Sequence, residues 1–168
     1  MISSYTESAC TRYRALLSQL DTNHVLAGGD DCQTVSLFDI KEGDFRCLQK
    51  VSVNTPGISL LRQDNQTKTV FFGGTTGQIG VLDSRTFKQE NQFTPHSGGL
   101  YDFTVHVYRL TSCGFVYKNG RQFPEKFLKQ YDVRMLPKSM PPIAVCYEPK
   151  FVRCAQIYSD RFIVVTQV

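Results

Sequence analysis

The sequence predicts an all-β fold, and three observations carry that prediction. Short apolar or alternating runs are cut by Gly, Asn, Asp and Pro about every ten residues, the spacing of strands joined by turns. Helix caps and sustained stripes of 3.6-residue period are scarce; only Thr11–Leu20 could form a helix, and it reads equally well as a strand. A large residue followed by Asp recurs at a regular interval, the mark of a structural repeat.

The runs follow one another in a fixed rhythm. Val25–Gly29 is apolar and ends on a Gly pair, and Thr34–Ile40 alternates. Ile58–Leu61, Val70–Gly74 and Ile79–Asp83 repeat that order, with a second Gly pair at Gly73-Gly74. Leu100–His106 alternates polar and apolar positions, and Arg109–Gly114, Lys129–Arg134 and Ile143–Tyr147 follow. Phe162–Thr166 closes the series with β-branched residues, which suit a pleated surface.

Three segments align within these runs. In each, a strand ends on Gly, a polar turn follows, and the next strand ends on a large residue before Asp: Phe38-Asp39, Leu82-Asp83 and Tyr131-Asp132. The aspartates lie about 44 and 49 residues apart, close to the roughly 40–45-residue period of WD40 blades. The excess falls between Gly114 and Tyr131, so the third unit carries an insertion in its turn. His96, followed by apolar positions and then by Ser112 before Gly114, also fits the blade template. The chain therefore resembles a partial WD40-like β-propeller of about three blades plus fragments. Blades are expected roughly over 10–50, 51–93 and 94–147, with the start of another over 148–168. Propellers close with about four to eight blades, so this is part of one.

Composition agrees with a packed domain and narrows little else. The chain has 168 residues, 41% of them hydrophobic, and a formal net charge of +4 that permits nucleic-acid contact without predicting it. Trp is absent, and Phe38, Leu82 and Tyr131 stand where WD40 blades carry it. No run approaches the roughly 18 apolar residues of a membrane span, so no membrane partner is expected. The start Met1–Glu7 has neither the basic nor the apolar region of a signal peptide. Cys10, Cys32, Cys47, Cys113, Cys146 and Cys154 show no C-x-x-C spacing and are expected as reduced thiols buried among apolar residues. His24, His96 and His106 fall at no spacing that would complete a zinc site, so neither metal nor cofactor is expected.

No enzyme site emerges. Asp39, Asp83 and Asp132 share one blade position, which assigns them to turn capping. His96 and Ser112 with Asp102 nearby invite a triad reading, yet they occupy the places of a blade's internal hydrogen-bond network, and no nucleophile elbow is present. Gly73–Gly77 lacks the Lys and helix of a phosphate loop. Two Asp-x-Arg boxes carry Arg85 and Arg134. In WD40 substrate receptors of cullin–RING ubiquitin ligases such arginines face an adaptor propeller; the simpler reading pairs each with an Asp of its own or the adjoining blade. The insertion mixes Phe115, Tyr117 and Phe123 with Lys118, Arg121 and Lys126. Rings and cations together suit single-stranded RNA, and an aromatic hairpin on the propeller rim would look the same.

Longer stretches carry a closer resemblance. Asn54–Gln63 (NTPGISLLRQ), Phe71–Gly77 (FFGGTTG), Asp83–Lys88 (DSRTFK), His96–His106 (HSGGLYDFTVH), Thr111–Phe115 (TSCGF) and Phe127–Leu136 (FLKQYDVRML) follow one another in a single order. They resemble the N-terminal WD40 propeller of the catalytic subunit of the Pan deadenylase, the poly(A)-binding-protein-dependent poly(A)-specific ribonuclease. Glu148–Phe151 and the run to Gln167 continue the match. The resemblance implies a non-catalytic scaffold in mRNA poly(A)-tail shortening, ahead of an inactive ubiquitin-hydrolase-like domain and a two-metal exonuclease domain that this segment does not contain. It implies as partners the pseudokinase regulatory subunit and poly(A)-binding protein with poly(A) RNA, and a cytoplasmic location that includes P-bodies and in part the nucleus. The family places no catalytic residues on this segment. Two other functions stay open: a ligase substrate receptor acting through Arg85 and Arg134, and a stand-alone RNA-binding propeller acting through Lys118, Arg121 and Lys126.

Overall fold

The computed structural model describes residues 18–19, 23–41, 44–64, 66–83, 85–155 and 161–167. Every strand pairing among them is antiparallel, and the one helical segment is a 3-10 turn at Val133–Met135. The first sheet orders β1 (Ser18–Gln19), β2 (His24–Ala27), β3 (Thr34–Lys41) and β4 (Asp44–Ser52) in sequence. The second repeats it with β5 (Ile58–Gln63), β6 (Val70–Gly74), β7 (Ile79–Leu82) and β8 (Gln89–Phe93). The third has β9 (Gly99–His106), β10 (Arg109–Lys118), β12 (Phe127–Asp132) and β13 (Ser139–Ala144), with β11 (Arg121–Pro124) added against β10. A two-stranded sheet of β14 (Glu148–Cys154) and β15 (Phe162–Gln167) follows.

Face-to-face stacking of these sheets builds the core. Leu26, Val35, Ile58, Leu61, Val70, Phe72 and Leu82 fill the seam between the first and second sheets. Phe71, Ile79, Val81, Phe93, Phe103, Leu110 and Tyr131 fill the next. Cys113, Leu128 and Val152 begin a third, with Tyr101, Phe162 and Val164 against them. The two-residue period of a strand explains how neighbours Phe71 and Phe72 enter different seams. It also explains why β6 is buried along its whole length, since both of its faces are covered. The first strands of successive sheets touch one another, so they form the inner wall and the fourth strands lie outside.

Several observed strands lie where no apolar pattern marks them. β4 and β8 are outer strands, and β8 (QENQF) buries only Phe93 fully, so neither face shows alternation. β13 runs over Ser139–Ala144 instead of the expected Ile143–Tyr147, and its two prolines suit an edge. Of Thr11–Leu20, Ser18–Gln19 form a strand and the rest lies outside the described residues.

The cysteines depart from expectation. Cys32 is disulfide-bonded, which corrects the all-thiol reading, since none of the six cysteines stands in the C-x-x-C spacing that would have flagged a pair; Cys10 lies outside the described residues. Of the free thiols, Cys113 is buried, Cys47 and Cys154 are half-buried, and Cys146 is exposed.

Candidate functional site

The insertion in the third unit is a β-hairpin that prolongs β10. Phe115 pairs with Pro124 and Lys118 with Arg121 around a two-residue Asn119-Gly120 turn. Both turn residues take positive φ, 51° and 73°, as the tight mirror-image hairpin turn demands. Opposed residues share a face, so Tyr117 lies with Phe115 and Gln122, while Lys118, Arg121 and Phe123 lie with Val116. Phe115 packs 5.1 Å from the Tyr101 ring on β9 and 5.5 Å edge-on from Tyr117. Lys150 Nζ sits 3.9 Å over that Tyr101 ring. Tyr117 at 59% and Phe123 at 46% stay exposed on opposite faces. The rings therefore form no single stacking platform; the cations keep company with Phe123 alone. Lys126 is exposed beyond the hairpin and lines a shallow recess with Tyr147, Glu148 and Gln167.

Arg85 and Arg134 lie at the other end of the sheets. Asp132 pairs with Arg109 at the start of β10, whereas Lys118 ends it, and ten residues of strand separate the two ends by about 30 Å. The two Asp-x-Arg boxes differ in three dimensions. Arg134 donates Nε to Asp132 Oδ1 at 2.9 Å and Nη2 to Oδ2 at 2.6 Å, and its guanidinium lies 4.7 Å over the Tyr108 ring. These bonds hold the Asp132 carboxyl down at about 2. Arg85 donates only its backbone N–H to Asp83, at 3.0 Å, and Thr86 Oγ1 donates to the same carboxylate at 2.7 Å. Asp39 lies 3.8 Å from Lys41.

His96 and Ser112 meet in the third sheet. Nε2 lies 3.0 Å from Ser112 Oγ, and Nδ1 bonds to the Glu125 carboxylate. Burial pushes the His96 pKa down, against the Glu125 bond that raises it. In the neutral ring Nδ1–H then donates to Glu125, and Nε2 accepts from the serine hydroxyl. Lys129 Nζ completes the set, 3.0 Å from Glu125 and 2.6 Å from the Pro95 carbonyl. The order Ser–His–carboxylate is that of a catalytic triad, but Ser112 and His96 are both fully buried, so no substrate reaches the hydroxyl. Asp102 is not the acid of this set.

Asp102 instead joins three inner strands. Its side chain is 1% exposed; Oδ1 accepts from Arg62 Nη2 of β5 at 2.9 Å, and Oδ2 accepts from the Val152 N–H of β14 at 3.1 Å and from Arg153 Nη1. Burial pushes the Arg62 pKa down and Asp102 draws it up, while like-charge Arg153 adds to the lowering. Beside this cluster, at the ends of β5, β9 and β14, is a cavity of about 130 Å³ lined by Arg62, Gln63, Thr104, Val105, His106, Arg153 and Cys154. Among the described residues no group of three metal-ligating side chains is present.

A family model described as PAN2 N-terminal matches residues 7–168. The chain belongs to that family. It is 35% identical over 149 residues to the PAN2-PAN3 deadenylation complex catalytic subunit Pan2 of Rattus norvegicus, covering 88% of this chain and 12% of the relative. To the same-named subunit of Homo sapiens it is 39% identical over 119 residues, covering 71% of this chain and 10% of the relative. It thus spans about a tenth of the length of the curated relatives it matches. A solved structure of the Neurospora crassa Pan2 WD40 domain superposes with a TM-score of 0.78 at 19% identity, covering 99% of this chain and 50% of that one. That likeness establishes the fold as a partial WD40 propeller, and the family match over residues 7–168 makes the segment the N-terminal part of the PAN2 family and not its nuclease domain.

Within this PAN2 N-terminal segment the structure adds Glu125 and the Arg62–Asp102–Arg153 cluster to the residues that sequence reasoning singled out. Glu125 stands in the short turn between the inserted hairpin's β11 and β12, 29 positions from His96, and no local spacing links the two. The arginine cluster spans forty and fifty-one positions, and no local pattern marks it.

Proposed function

We propose that this chain acts as a non-catalytic propeller scaffold of a poly(A)-specific 3′–5′ exoribonuclease subunit, engaging a pseudokinase regulatory subunit and the poly(A) ribonucleoprotein during tail shortening. The match to the PAN2 N-terminal family over residues 7–168 carries the reading. The names of the rat and human relatives, which speak of a PAN2-PAN3 deadenylation complex, support a partner subunit. The sealed His96–Ser112–Glu125 set favours scaffolding over chemistry in this segment. A cytoplasmic site of action, P-bodies included, belongs to the same proposal. Co-purification of the full chain with the regulatory subunit tests it: stoichiometric recovery is expected, and none at micromolar concentrations overturns it.

The alternatives make distinct demands. An RNA-binding propeller working through Lys118, Arg121 and Lys126 predicts poly(A) affinity that falls with salt, with a shallower slope once those charges are removed. A ligase receptor working through Arg85 and Arg134 predicts adaptor recovery that fails in the R85A/R134A variant. The Arg134–Asp132 fork favours the simpler reading for Arg134, and Arg85 is the one of the two that is open to a partner.

A further inference from the structure

The Asp102 cluster is unbalanced in charge. One buried carboxylate serves two guanidiniums, and both of its oxygens are already taken. Arg62 donates Nη1 to the Leu61 carbonyl at 2.8 Å and Nη2 to Asp102, but its Nε is buried without a hydrogen-bond partner. Each of these two Arg62 Nη nitrogens keeps a second N–H beyond the bond it makes. Arg153 commits only Nη1, to Asp102 and to the Val152 carbonyl, so the rest of its fork is open. Thr104 Oγ1 accepts the Cys154 N–H at 3.3 Å and keeps its own proton to donate. His106 stands at the same mouth. Donor-bearing side chains thus line the cavity, and among the described residues that line it there is no carboxylate.

Size limits the ligand. About 130 Å³ is well below the roughly 300–1,000 Å³ of pockets for drug-sized molecules. It admits a compact anionic group and excludes a nucleobase.

We propose that this cavity, where the inner strands of three successive blades end, is a binding site for a small tetrahedral oxyanion of the phosphate class, held by Arg62, Arg153 and Thr104. Forked guanidiniums match such oxygens in pairs, and the anion completes the charge that Asp102 leaves half-balanced. The phosphate can be free or the end group of a nucleotide whose base lies outside.

Calorimetric titration of the full chain with inorganic phosphate in chloride buffer, at fixed ionic strength, tests the site. Saturable binding of one phosphate per chain is expected, with sulfate competing and acetate at least tenfold weaker. The R153Q variant is expected to bind at least roughly tenfold more weakly, the loss of charge-assisted hydrogen bonds. The D102N variant keeps both guanidiniums and removes the competing carboxylate, so it is expected to bind phosphate more tightly. A cluster that only ties the blades together would show no such gain. Adenosine 5′-monophosphate distinguishes the sources: binding equal to phosphate indicates the free anion, and tighter binding indicates a nucleotide phosphate. Absence of saturable heat with the unaltered chain, acetate equal to phosphate, adenosine equal to its monophosphate, or weaker binding by folded D102N overturns the proposal.

Discussion

His96 Nε2 lies 3.0 Å from Ser112 Oγ in a position that water does not reach, and the bond is made by a neutral ring. Its environment predicts how the fold responds to acid. Burial pulls the His96 pKa below its ordinary 6.5 despite the Glu125 bond. Below that value the unfolded chain takes up a proton that the folded chain refuses, so stability falls as pH falls. Glu125 adds a second loss lower down: burial raises its pKa, the bonds from His96 and Lys129 outweigh this, and the net lowering from 4.5 gives stability that disappears in acid. Urea midpoints should therefore hold steady above pH 6.5, decline below it as His96 contributes, and fall further below 4.5 as Glu125 does. In H96N the upper part of that decline should vanish; an unchanged profile would contradict this account.

Two glycines in turns separate backbone strain from crowding. Gly77 and Gly120 take φ of +89° and +73°. A Cβ at Gly77 would stand 1.9 Å from the His96 carbonyl, whereas one at Gly120 meets nothing within 4 Å. Alanine at Gly120 should cost only the left-handed penalty of about 1–2 kcal/mol. At Gly77 the same penalty adds to displacement of the strand entry that carries His96, so G77A should cost at least about 2 kcal/mol more than G120A. Equal unfolding midpoints for the two variants would refute the packing argument.

The same contrast shows what the sequence makes legible. Inner and middle strands are readable because alternation sends residues such as Phe71 and Phe72 into separate seams, and Leu82 and Tyr131 hold a fixed blade position. Outer strands are not readable, since Gln89–Phe93 faces solvent along most of its length and bears no apolar period. The blade network was half visible. His96 and Ser112 follow the template, but the acid that bonds His96 is Glu125, 29 positions on and past the inserted hairpin, whereas Asp102 is nearer in sequence. Asp102 finds its partners in other blades, and only folding brings them together.

Tyr131 tests what fills the tryptophan position. Its ring centroid lies 4.7 Å from that of Phe93, and it is 7% exposed in the seam with the preceding blade. Truncation to alanine removes a buried ring and leaves a cavity, so Y131A should lose about 3–5 kcal/mol. The hydroxyl makes no hydrogen bond among the described residues, and Y131F should stay within about 0.5 kcal/mol of the parent. A large loss in Y131F by chemical denaturation would show that the hydroxyl, not the ring, anchors the seam.

Asp102 sets a sharper test, because its loss strands two cations at once. Breaking a buried ion pair from one side costs about 3–5 kcal/mol. Arg153 is half-exposed and Arg62 less so, so water relieves the first more than the second. D102A should therefore lose about 3 kcal/mol, the low end of that range. Adding R62M, which removes the more enclosed charge, should restore part of the loss; adding R153M should restore less. A double-mutant cycle on unfolding free energies reads the difference directly. Equal recovery from the two arginines would mean that burial does not rank them, and additive losses would mean that the three blades are not coupled through this carboxylate.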